Sequence, residues 1–221
     1  MNLQGFLDHL LKSQSASQAP GTQPSTGGSL LNADFGKGAI TGGALGLLLG
    51  KNKSTRKLAT YGGLAAIGVM AYKAYGDYTA QQAATQQGAA RAAPPQTVDR
   101  LPPPQAALHS EAILRALVGA AKADGHIDER ERGVIEGEFA RLNPGSEVQQ
   151  WLHAELAKPL DPAEVARAAT TPEIASEMYL ASLMAADEQN FMERAYLDEL
   201  ARQLKLDDDL RQRLSNELQR G

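Results

Sequence analysis

Reactive side chains are few in this chain, and they do not pair up along it. Cysteine is absent, which removes thiolate nucleophiles, cysteine metal sites and disulfides together. Of the four histidines, His9, His109 and His153 have no serine or acid partner at a spacing recognisable for acid–base or nucleophilic work. His126 sits in a polar turn, where an imidazole is usually solvated. The run GAITGGALGLLLG at 38–50 could suggest a phosphate cradle, but no Gly-Lys-Ser/Thr follows it and no strand precedes it. With no catalytic residue, cofactor site or small-molecule substrate marked out, the expectation is a protein that is not an enzyme.

The acidic residues are better patterned. ALVGAAKADGHIDERERGVIEGEFARL at 116–142 and YLASLMAADEQNFMERAYLDELARQLKL at 179–206 align on Glu131-Arg132 and Glu193-Arg194. Each reads as an apolar helix, Ala-Asp, a short polar turn and a second apolar helix. Ile135 then corresponds to Leu197 and, with the second turn one residue shorter, Asp124 to Asp187. Two helical hairpins related by a pseudo-twofold axis are the expected outcome. Helix-end chemistry accounts for much of the acidity: Asp124 closes one helix, Asp128 caps the next, and Glu131 three residues on completes a capping box. Arg130 or Arg132 can pair with what is left.

The elements that must position these turns are helical throughout. From Ala106 onward, Ile113, Leu114, Leu117, Val118 and Ala121 form one stripe, and Val134, Ile135, Phe139 and Leu142 another that Asn143-Pro144-Gly145 stops. Trp151, Leu152 and Leu156 mark a short helix. Asp161-Pro162-Ala163-Glu164 and Thr171-Pro172-Glu173 each place a capping side chain before a proline at the first helical position. Later stripes run through Met178, Leu180, Leu183 and Met184, through Tyr196, Leu197, Leu200 and Leu204, and through Leu210, Leu214 and Leu218. No stretch alternates apolar with polar residues, so 106–221 reads as an all-α domain of about seven helices.

The N-terminal half is different. Residues 1–100 carry nine Lys/Arg against four Asp/Glu, and residues 101–221 thirteen against twenty-two, so a total of −4 joins a basic half at +5 to an acidic half at −9. An acidic domain argues against nucleic acid as a partner, because phosphate binding needs clustered cations. Residues 1–12 form a short amphipathic helix (Leu3, Phe6, Leu7, Leu10, Leu11), suited either to docking on protein or to a membrane surface, and MNLQGFLDHLLKSQ lacks the basic region and cleavage site of a secretory signal. Residues 13–29, rich in Ser, Gln, Pro and Gly, read as disordered. Residues 30–78 are a Gly-rich apolar region, and 79–105 a Gln/Ala/Pro linker ending in three prolines.

That apolar region reads as membrane-associated. A crossing needs about 20 apolar residues, and 38–50 supplies only thirteen. LATYGGLAAIGVMAY at 58–72 supplies fifteen, extended to an effective transmembrane span of 58–78 if Lys73 snorkels and Tyr72, Tyr75 and Tyr78 sit at the interface. Gly38, Gly42, Gly46 and Gly50 form a stripe for close helix contact, a glycine zipper, against Gly62 or Gly63 or against a second copy. The six glycines between 36 and 50, each costing about 1 kcal/mol in an aqueous helix, disfavour an independent soluble helix there. Lys51, Lys53, Arg56 and Lys57 favour the cytoplasmic side for the 51–57 turn, and a single following span would then send the acidic domain outside.

The pairing of AAKADGHIDERE with the later AADEQNFMERAYLDELARQLKL resembles the TerB-like (tellurite resistance) family. With the Gly-rich apolar N-terminal region it is similar to the membrane-associated, domain-of-unknown-function branch typified by the inner-membrane protein YebE. The resemblance implies an all-α TerB-like fold and a bacterial envelope setting, with the helical domain on the cytoplasmic side, and it brings no established activity. It also implies a divalent metal at the acidic turns, carried here by Asp124, Asp128, Glu131, Asp187 and Glu193. Oxygen ligands of this kind suit calcium or magnesium, although the spacing is not a twelve-residue calcium loop and the second turn is poorer in ligands. Two functional expectations follow: a non-enzymatic membrane-tethered adaptor or stress-response protein with a protein partner, or a soluble metal-binding stress protein that self-associates through its Gly-rich segment. A hydrolase built on the acidic turns is the least supported.

Overall fold

The structure is a computed structural model that describes residues 64–85, 93–123, 125, 127, 129–141, 145–186 and 190–220. Among the described residues it is all-helical, with eight helices and no strand. They are α1 (Leu64–Thr85), α2 (Pro103–Ala121), α3 (Glu129–Arg141), α4 (Ser146–Ala157), α5 (Pro162–Ala166), α6 (Pro172–Ala185), α7 (Phe191–Gln203) and α8 (Asp208–Arg220). Seven of these, α2 to α8, lie in the region expected to be helical.

At the centre is α6, PEIASEMYLASLMA, in which every residue from Ile174 to Ala185 is buried. A helix enclosed on all sides must be apolar on all sides, and this one nearly is. Its closest partner is α2, whose Ile113, Leu114 and Leu117 are fully buried, and α1, α7 and α8 also pack against it. α3 packs on α4, and α7 on α5. The two proline-led starts behave as expected: Asp161 accepts from the Ala163 N–H at 2.9 Å, and Thr171 from the Ile174 N–H at 3.3 Å. Asn190 and Asp207 do the same work for α7 and α8, accepting from Met192 N–H and Leu210 N–H at 2.9 Å.

The N-terminal boundary differs from the sequence reading. Residues 64–78, expected to be the second half of a membrane span, belong to α1, which continues to Thr85. Ala66, Ile67, Met70, Ala71 and Ala74 recur at helical spacing and are buried, and the helix docks on α6 and α8. Lys73 does not snorkel; its Nζ donates to Glu217 of α8 at 2.8 Å. Tyr78 donates to Asp207, and Arg213 reaches Gln81. Among the described residues no helix is long and apolar enough to cross a membrane.

The linker reading of 79–105 is corrected in the same way. Ala and Gln are good helix formers, so low complexity at 79–85 prolonged α1 instead of breaking it. Residues 93–101 form a strap between α1 and α2 in which Thr97 and Val98 are buried. The three prolines do not act as a spacer. Pro102 is the N-cap of α2, and the helix begins at Pro103, where a missing N–H costs nothing. The expected short helix 1–12, the disordered 13–29 and the glycine stripe lie outside the described residues.

Candidate functional site

The most unusual polar arrangement is a buried junction where α2, α6 and the strap meet. Glu177, 0% exposed, lies mid-way along the otherwise apolar α6. Its Oε2 is 2.5 Å from Nδ1 of His109, which α2 presents from its second turn. Its Oε1 accepts from the Val98 N–H of the strap at 2.6 Å. Burial pushes the Glu177 carboxyl above its ordinary value, with help from nearby Asp99, and the bonds from His109 and Val98 act against that rise. The strap is pinned to α1 as well. Thr97 Oγ1 donates to Asp99 Oδ1 at 2.6 Å, and that carboxylate sits so close to Gly68 that a Cβ there would lie 2.5 Å from Oδ1. Arg100 stacks 3.7 Å over the Tyr72 ring.

Sequence reasoning left His109 without an acid partner, because that partner is 68 residues away on another helix. A signal was present: the second glutamate of PEIASEMYLASLMA, set among apolar residues mid-way along the helix, cannot be buried unless something meets its charge. His153 also has a partner, Glu136 Oε1 at 2.8 Å, on an exposed surface, where such pairs contribute little.

The carboxylates expected to bind metal are largely beyond description. Asp124, Asp128 and Asp187 lie outside the described residues, as does His126, and Glu131 lies on α3. Glu193 is buried, at 8% exposure, in the first turn of α7, where a carboxylate also complements the helix N-terminus. Among the described residues no group of three or more His, Asp or Glu could hold a metal ion. Gly38, Gly42, Gly46, Gly50, Gly62 and Gly63 are outside the described residues too.

A second charged cluster lines a shallow pocket between α2, α4 and α5. Lys122 Nζ donates to the carbonyl of Glu155 at 3.2 Å and to that of Lys158, closing the C-terminus of α4. Partial burial lowers its ammonium below the usual lysine value. Lys158 pairs with Glu155 at 2.9 Å and Glu164 at 3.1 Å, and Arg115 reaches Glu155 at 3.5 Å. These groups form a salt-bridge network that joins three helices, within which Arg115 Nε is buried without a hydrogen bond.

The helical core and the segment leading into it also coincide with the unit found by comparison with known proteins. The family described as "Protein of unknown function (DUF533)" matches residues 34–218. The chain belongs to the DUF533 family. DUF533 is a TerB-like family, so the TerB-like part of the sequence resemblance holds. The DUF533 match begins ahead of the glycine stripe and ends within α8, taking in the Gly-rich segment, α1 and the core as one unit. A relative from Yersinia enterocolitica, "Uncharacterized protein in ampR 5'region", is 34% identical over 106 residues, covering 48% of this chain and 76% of that protein. No solved structure matches the chain.

Proposed function

We propose that this DUF533 protein is a non-enzymatic, membrane-tethered adaptor or stress-response protein of the bacterial inner membrane, whose helical domain binds a protein partner. The observation that carries the proposal is the continuity of tether and domain. In the sequence, residues 38–63, apolar and Gly-rich at 38–50, directly precede α1, and α1 is a core helix with Ile67 and Ala71 fully buried. A segment held at a bilayer would therefore fix the position of the whole domain. The tether is assigned to residues 30–63, with the glycine stripe Gly38 to Gly50 packing against Gly62 and Gly63 or against a second copy.

In this proposal the domain faces the cytoplasm, and its two hairpins form the pseudo-repeated TerB-like core of the membrane-associated branch. The acidic turns carrying Asp124, Asp128, Glu131, Asp187 and Glu193 are its candidate contact for calcium or magnesium, with no step assigned to the ion. Fractionation of the full-length protein tests the tether. Retention in the membrane after a carbonate wash supports it, and release by salt or carbonate alone overturns it in favour of the soluble, self-associating reading.

A further inference from the structure

We propose that the junction of Glu177, His109 and Val98 is a proton-operated fastening for the strap: proton uptake there tightens the hold of residues 93–101, and with them α1, on the core, and proton loss slackens it. The strap itself creates the conditions for this. When it is down, Val98 and Thr97 are buried over Glu177, and Asp99 brings a negative charge towards a carboxyl that is 0% exposed. When it lifts, Glu177 regains water and Asp99 moves away, and the Val98 N–H bond is lost. Removing water, the largest effect on this carboxyl, and adding a like charge both favour its protonated form, against the opposing pull of the Val98 N–H bond.

The sign follows by linkage. The closed state binds the proton more tightly than the open one, consistent with the raised Glu177 value, so acid favours closure and rising pH opposes it. The window runs upward from the ordinary glutamate value of 4.5 to the raised one, and within it each pH unit can change the closed-to-open ratio by up to about tenfold. The charged groups facing Glu177 are His109 from α2 and Asp99 from the strap. On the other packed helices, Lys73 of α1 is taken by Glu217 of α8, and Arg211 of α8 pairs with Asp198 of α7 at 2.5 Å. The strap holds α1 in turn through the Asp99 contact at Gly68 and through Arg100 on Tyr72, so its fastening bears on the helix that leads to the Gly-rich segment.

The test is hydrogen exchange at the Val98 amide of the full chain between pH 5 and pH 8, corrected for the intrinsic exchange rate. The expected result is protection that rises several-fold towards acid, with the dependence abolished in Glu177→Gln and reduced in Asp99→Asn, which keeps the shape of the strap but removes its charge. Carboxyl carbon NMR of the unmodified protein gives a reading that needs no variant: Glu177 is expected to titrate above 4.5. Protection that is flat or falls towards acid, or a Glu177 carboxyl that titrates at or below the ordinary value, would overturn the proposal.

Discussion

Gly119 on α2 faces Tyr196 on α7, and adding a single methyl group there tests the packing of these two helices. A Cβ at Gly119 would lie 2.4 Å from the Tyr196 hydroxyl oxygen and 3.2 Å from Val165 Cγ2. Tyr196 is 5% exposed; Ser182 lies beside its hydroxyl, but no hydrogen bond of good geometry forms. The ring cannot swing aside as a surface side chain would. Overpacking of this kind costs about 1–3 kcal/mol, and a contact about 1 Å inside van der Waals distance belongs near the top of that range. Alanine returns about 1 kcal/mol of helix propensity. The net expectation for Gly119→Ala is a loss of about 1–2 kcal/mol, which in a domain of this size lowers Tm by about 2–8 °C. Tyr196→Phe alone removes a poorly bonded hydroxyl and should be close to neutral. In the double variant the clash is gone, and the alanine should cost nothing or stabilise slightly, limited by Val165. Thermal and urea melts of the four proteins in the cycle measure this as a coupling of about 2 kcal/mol. If Gly119→Ala costs as much with phenylalanine at 196 as with tyrosine, the packing described for α2 and α7 is wrong.

Other outcomes follow from the same contacts. A chain beginning at residue 106 lacks α1 and its Ile67 and Met70, each worth about 1.5–3 kcal/mol when buried; against a typical total of about 5–15 kcal/mol, it should lose its cooperative melt, whereas a chain beginning at 64 keeps it. His109→Leu leaves Glu177 Oε2 buried without its hydrogen-bond partner, at a cost of about 1–3 kcal/mol near neutral pH. Because the native Glu177 value is raised, the stability of that variant should recover as pH falls from 7 towards 5, read by urea midpoints. Tyr78 is pushed up to about 12, chiefly by its hydrogen bond to Asp207. That bond's contribution is intact below pH 10 and lost as pH rises through about 12, so an ultraviolet titration of Tyr78→Phe should lack one late-ionising phenol.

Helices with a polar face were legible in the sequence, and so were the starts at Asp161 and Thr171, because spacing and capping are local properties. The centre of the fold was less so. α6 is buried all round, and its enclosure depends on α1, which the apolar reading of 58–78 assigned to a membrane. A stretch such as LAAIGVMAY at the start of this helix has much the same composition whether lipid or protein covers it, and its docking on α6 and α8, with Lys73 meeting Glu217 and Tyr78 meeting Asp207, is visible only in three dimensions. The prolines at 102–104 were read as a spacer because three in a row suggest one, yet the first positions of a helix tolerate them. The Glu177 junction was out of reach for another reason: its three parts come from residues 98, 109 and 177, and no local pattern joins them.

The central claim, that the Gly-rich segment holds the helical domain at a membrane through a docked α1, is tested most directly by carbonate extraction of two proteins expressed side by side, the full chain and the chain beginning at residue 64. The account predicts that the full chain stays with the membrane while the shorter chain is found in the soluble fraction, folded. Full-length protein released by carbonate, or a shorter chain that remains as firmly bound as the full one, would contradict it.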